Sequence, residues 1–143
     1  MADQRRGEVD GVTTMTRERP VRAVVIDDTS DIRDLLRLAL SASGMDVVGE
    51  AGDGREGVDL VRDSRPDVVI LDLAMPVMDG YQAAEELKHS AVTRHIPIIA
   101  VTAQPGARES ARISGCDAFL AKPCMPQLLW CEISLLLGTE RAV

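Results

Sequence analysis

The chain has 143 residues, 45% apolar and 27% charged, which places it among ordinary globular domains and excludes a disordered chain. At this size roughly 70% of the unfolded surface can be buried, so no disulfide or metal is needed to hold a core. Sixteen basic against 23 acidic residues leave a net charge of −7, which speaks against a phosphate-backbone partner and so against direct DNA binding.

Residues 1–20 carry Arg5, Arg6, Arg17 and Arg19 against Asp3, Glu8, Asp10 and Glu18, with almost no apolar periodicity. This segment is expected to be a flexible leader, because it cannot bury enough surface to offset its ordering entropy. Met15 is a candidate physiological start. From Val21 onward short apolar runs alternate with amphipathic stretches. Residues 23–26 form a β-branched run suited to a strand buried on both faces. Residues 30–43 place Ile32, Leu35, Leu36, Ala39 and Leu40 on one helical stripe, with Thr29 or Ser30 as N-cap and Gly44 as terminator. A second strand is expected over 46–50. A helix follows over 54–64, with Val58 and Val61 inward and Arg65–Pro66 as its stop. The most apolar strand covers 67–73. A loop over 75–80, punctuated by Pro76 and Gly80, leads to a helix over 81–90. The remaining elements are a strand at 97–101, a weak helix at 106–114, a short strand at 118–121 and a final helix at 125–137. Five strands alternating with five helices imply parallel strands, right-handed crossovers and an open three-layer α/β sheet. The domain is expected to span residues 21–138, with 139–143 as a short tail.

The aromatics amount to 2%, namely Tyr81, Phe119 and Trp130. The core must be aliphatic, and there is no platform for stacking bases. The apolar runs are too short to cross a bilayer, and no secretory signal pattern opens the chain. Cys116, Cys124 and Cys131 are odd in number and lack CxxC spacing. The expected setting is the reducing cytoplasm. Cys124 and Cys131 are expected to be small buried apolar groups. His89 and His95 match no ligand spacing and are expected at the surface.

In an open parallel sheet, ligands gather at the carboxyl ends of the strands. Strand one ends in Asp27 and Asp28, strand three in Asp72, strand four in Thr102 and strand five in Lys122 followed by Pro123. Glu50, at the end of strand two, is expected to be peripheral. Taken singly, Asp72 or Thr102 reads as a turn or cap residue. Together they read differently. Three converging carboxylates cannot all stay ionised without a cation. Oxygen ligands suit Mg²⁺, with Mn²⁺ as a substitute, and Lys122, one of only two lysines, adds a positive charge. Such a site is suited to phosphoryl transfer, with Asp72 as nucleophile.

The stretches VVIDD (24–28), VVILDLAMPVMDG (68–80), IIAVTA (98–103) and FLAKP (119–123) resemble the receiver domain of two-component response regulators, over about residues 21–138. The resemblance implies a flavodoxin-like fold with strand order 2-1-3-4-5. It implies that Asp72 accepts a phosphoryl group from a histidine kinase or a histidine phosphotransfer protein. It further implies that Asp27, Asp28, Asp72 and the Ala74 carbonyl hold Mg²⁺, and that Lys122 and the Ala74 and Ala103 amides contact the phosphate. Thr102 and Phe119 would act as switch residues, Ala74 and Gln104 would tune autodephosphorylation to an intermediate or slow rate, and the Lys122–Pro123 bond would be cis. The expected protein is a stand-alone signalling receiver rather than a conventional enzyme. It would be read by a downstream target on the face of helix four, strand five and helix five, or by a second copy of itself. The last helix, apolar on more than one side, points the same way. The competing readings are an unphosphorylated interaction domain and a Mg²⁺-dependent phosphohydrolase working through an aspartyl phosphate. A flavodoxin-like cofactor binder is disfavoured because Asp27 and Asp28 stand where a phosphate loop would be.

Overall fold

A computed structural model describes residues 19–75, 77–104, 106–123 and 126–138. The leader up to residue 18, the tail from 139, Cys124 and the expected helix start at Met125 lie outside the described residues. In chain order the elements are β1 (Arg22–Ile26), α1 (Ser30–Ala42), β2 (Asp46–Ala51), α2 (Gly54–Ser64), β3 (Val68–Leu71), α3 (Gly80–His89), β4 (Ile98–Thr102), α4 (Ala107–Ser114), β5 (Ala118–Ala121) and α5 (Pro126–Leu137). The strands are parallel, in the order β2-β1-β3-β4-β5.

The central position of β1, β3 and β4 follows from their composition. All of β3 and β4, and β1 beyond Arg22, are buried, as continuous aliphatic runs require, whereas the edge strands β2 and β5 are mostly half-exposed. The period of two divides their side chains between two cores. Val24, Ile26, Val69, Leu71, Ile98 and Ala100 pack with α2, α3 and α4. Ala23, Val25, Val68, Ile70, Ile99 and Val101 face α1 and α5, meeting Leu40, Leu129 and Ile133.

Helix ends are set by side chains and backbone geometry. Asp53 caps α2 by accepting from the Glu56 amide, and Asp79 and Gln82 form a reciprocal capping box on α3. Arg65 adopts a left-handed conformation (φ 50°) and ends α2 just before Pro66. Thr29 is the N-cap residue of α1, but its side chain makes no capping bond. Its backbone amide instead donates to Asp27 Oδ1 at 2.9 Å. β3 is shorter than the apolar run suggests. The Asp67 carboxylate accepts from the Arg22 amide at 2.8 Å, and at the other end the chain turns so that the Ala74 amide meets Asp72 Oδ1 at 3.2 Å.

On α5, Leu129 and Ile133 are fully buried, whereas Leu128 (55% exposed) and Leu135 (63%) face outward. Cys131 is exposed, against the expectation of burial. Ser134 is buried, and its hydroxyl has no hydrogen-bond partner among the described residues. With apolar residues at most positions, the hydrophobic pattern does not decide which side of this helix turns inward.

Gly80 is demanded by a close approach. A Cβ there would overlap the Asp72 carbonyl oxygen and the Leu73 Cα. The Gly80 amide also donates to the Leu73 carbonyl at 3.0 Å. Gly80→Ala is therefore expected to cost about 1–3 kcal/mol of stability, as overpacking does. In the core, Ile99→Ala is expected to cost about 2–5 kcal/mol, and the exposed Leu38→Ala no more than about 0.5 kcal/mol. Urea unfolding of the three variants checks the ranking, and an Ile99→Ala chain as stable as Leu38→Ala would contradict the assigned core.

Candidate functional site

Strand register builds the site. Ile26 pairs with Leu71, so the next residues on the two strands, Asp27 and Asp72, leave the sheet side by side. The Asp27 amide donates to the Ala51 carbonyl and the Asp72 amide to the Ile26 carbonyl, at 3.0 and 2.9 Å. These bonds hold the backbone of both residues past the formal strand ends. Asp27 and Asp72 are buried and Asp28 is exposed. One carboxylate oxygen from each of the three lies within 4.8 Å of the others.

On the other side, Thr102 pairs with Ala121, and the Lys122 amide donates to the Thr102 carbonyl at 2.9 Å. From there the Lys122 side chain reaches over β4. Its Nζ lies 2.8 Å from Asp27 Oδ2 and 3.4 Å from Asp72 Oδ2. The Lys122–Pro123 peptide bond is cis. Burial works against the Lys122 ammonium, but the hydrogen bond to Asp27 and the charges of Asp72 and Asp27 outweigh it and raise its pKa. Asp72 is also shifted upward. Burial is the largest cause and Asp27 adds to it, while the Ala74 amide and Lys122 offset only part. One ammonium thus pairs with two of three clustered carboxylates, leaving an excess of negative charge carried by hard oxygen donors. That is the setting in which a divalent cation such as Mg²⁺ fits.

Thr102 is buried, and its Oγ1 accepts from the Gln104 amide at 3.3 Å. Among the described residues no hydrogen bond joins it to Asp72. Ala74, Ala103 and Gln104 are exposed at the rim. Phe119, half-buried on β5, packs against the core beneath α4, and the Arg108 guanidinium carbon sits 4.8 Å from its ring centroid.

Several contacts here have no counterpart in the sequence pattern. The Tyr81 hydroxyl donates to Gln104 Oε1 at 3.0 Å, tying the start of α3 to the segment after β4. Arg33 donates to the Asp27 carbonyl at 2.6 Å. Glu50 does lie to one side of the carboxylates, but it pairs with Arg37 at 2.8 Å and with Arg33 at 3.5 Å. None of these partners has a fixed sequence spacing; a lone tyrosine after a loop glycine was the one visible cue. Lys88, the other lysine, is occupied elsewhere, with Asp117 and the Arg94 and Ile96 carbonyls. His89 and His95 are exposed, as expected.

Residues 23–134 match the family model described as the response regulator receiver domain. The chain is 35% identical over 106 residues to the polar-differentiation response regulator DivK of Brucella anthropi, covering 73% of this chain and 85% of that protein. It is 42% identical over 106 residues to the transcriptional regulatory protein PdtaR of Mycobacterium tuberculosis, of which it spans only 50%. Among solved structures it resembles the receiver domain of a sensor histidine kinase from Pseudomonas aeruginosa, crystallised with a magnesium ion coordinated in its active-site cleft. That likeness has a TM-score of 0.77 at 28% identity and covers 83% of this chain and 98% of the other. With its strand order, its acidic strand ends and these relatives, this chain belongs to the response regulator receiver domain family.

Proposed function

We propose that the chain is a cytoplasmic signalling receiver that takes a phosphoryl group onto Asp72 from a phosphohistidine on a kinase or phosphotransfer protein. The observation that carries this reading is the buried Asp72 carboxylate, held beside Asp27 and within reach of Lys122 at 3.4 Å. An Asp72 Oδ atom attacks phosphorus as the N–P bond breaks, and the electron pair leaves with the imidazole nitrogen. Burial keeps bulk water off the acyl phosphate that forms. Lys122, freed to turn from the carboxylates to the new phosphoryl oxygens, contributes charge-assisted hydrogen bonds. Asp27, Asp28, Asp72 and the Ala74 carbonyl would hold Mg²⁺ or Mn²⁺. The bound ion would neutralise charge on the transferring oxygens.

Signalling then depends on a two-state element that reads the added charge. Thr102, now bonded through Oγ1 to the Gln104 amide, would turn its hydroxyl to the phosphate, joined there by the Ala74 and Ala103 amides. Phe119 would turn inward as Thr102 vacates its place, leaving Arg108. The changed surface is that of α4, β5 and α5, where Ile113 and Leu128 are already exposed. A downstream protein, or a second copy of the chain, would dock there. Ala74 has no group to orient a hydrolytic water, so phosphoryl loss is expected to be intermediate or slow. No described helix is long and apolar enough to cross a membrane.

Incubation with Mg²⁺ and a small acyl phosphate, read by intact mass, tests this reading. The expected result is a gain of one phosphoryl group, absent in Asp72→Asn and reduced in Lys122→Ala. No gain with several donors, or an equal gain in Asp72→Asn, would contradict it. Turnover of many equivalents of a phosphoester would instead mark a hydrolase.

A further inference from the structure

Two segments frame the mouth of the site, one after β3 and one after β4, and among the described residues one side-chain hydrogen bond, from the start of α3 that follows the first of them, joins them. Tyr81 is the first residue after Gly80, whose backbone is pressed against Asp72 and Leu73. Its ring is half-buried against the α2–α3–α4 core. Its hydroxyl donates to Gln104 Oε1. Burial, with the Asp79 carboxylate adding to it, pushes the phenol up, so it is a donor at neutral pH. Gln104 is anchored at its other end, where its amide donates to Thr102 Oγ1.

A glutamine side chain carries one acceptor atom and two donor hydrogens. Hydrolysis of an acyl phosphate needs a water placed in line with the bond to be broken. The water oxygen bonds to phosphorus, and the Asp72 carboxylate leaves with the electron pair. One water proton stays on the released phosphate and the other passes to phosphate or solvent. A neutral acceptor beside the water can align it by taking a hydrogen bond from it. At the exposed rim Ala74 and Ala103 offer no such group, whereas the Gln104 carbonyl is one, and in this structure it is turned to Tyr81.

We propose that Tyr81 is a positioning residue that holds the Gln104 carbonyl away from the hydrolytic water and so lengthens the life of the phosphoryl group. This rests on Asp72 being the phosphoacceptor. The same bond ties the segment carrying Thr102 to the start of α3, so the lifetime control sits on the switch segment itself.

The test is the decay of phosphorylated chain, by intact mass, after removal of the donor. Tyr81→Phe keeps the ring and deletes the hydroxyl. Its phosphoryl group is expected to decay roughly threefold faster or more, the scale of one neutral hydrogen bond. In a Gln104→Ala background the same change is expected to have no effect. Wild-type decay in Tyr81→Phe, or acceleration that persists without Gln104, would overturn the proposal. A second readout needs no phosphate. Tyr81 is the only tyrosine, so ultraviolet titration reads it alone. Gln104→Ala is expected to lower its pKa by removing the acceptor of its proton, and an unchanged titration would count against the tie. A wild-type chain that takes up no phosphate would overturn the Asp72 reading and the lifetime role with it. A chain phosphorylated normally, with unaltered decay in Tyr81→Phe, would overturn the lifetime role alone.

Discussion

Three carboxylates at the ends of two adjacent strands repel one another, and the rest of the site is arranged around that repulsion. Asp27 and Asp72 leave the sheet at the same level because Ile26 and Leu71 are paired. A one-residue slip would send one of them to the opposite face. The compensating charge comes from β5, two strands from β3 in the sheet order. A lysine is long and flexible enough to cross that distance, and Lys122 bridges both acids. It supplies one positive charge against three negative ones. The domain is thus built with a standing demand for more positive charge at that edge.

The same demand gives meaning to the overall charge of −7. Residues 1–20 carry four basic and four acidic residues, so the whole imbalance belongs to residues 21–143. Many of the charges that do cancel pair at the surface, where Arg55 and Arg62 hold Glu86 and Arg37 holds Glu50. Such exposed pairs contribute little individually. The buried cluster is different, because the low dielectric magnifies both its repulsion and the effect of any cation or phosphate that joins it. On the proposed function, adding a phosphoryl group rewrites the balance that Lys122 now maintains. Thr102 and Phe119 stand where the change can be read. Arg108 against the Phe119 ring is a contact that such a change would break, and Tyr81 against Gln104 is one that it would keep.

Much of this was legible in the chain. Where an uninterrupted aliphatic run stops at Asp27, Asp72 or Lys122, a buried strand must end, and parallel connections bring those ends to one edge. The strand order was legible only through resemblance, since alternation of elements leaves the order open. Other features had no sequence signal. Tyr81 with Gln104 and Arg33 with the Asp27 carbonyl join residues from separate loops or helices, a matter of tertiary placement rather than periodicity. At Thr29 the expected side-chain cap is not made, and the residue's backbone amide donates to Asp27 Oδ1. Cys131 faces solvent and Ser134 faces the core, and because α5 is apolar at most positions the hydrophobic pattern does not reveal that rotation.

The central claim is that the strand-end carboxylates form one cation-demanding site around Asp72. The most direct measurement is a Mg²⁺ titration followed by backbone amide NMR. The account predicts saturable shifts concentrated at Asp27, Asp28, Asp72, Ala74 and their neighbours, and lost in Asp28→Asn. Shifts scattered over the acidic surface, or shifts at these residues that persist unchanged in Asp28→Asn, would contradict it.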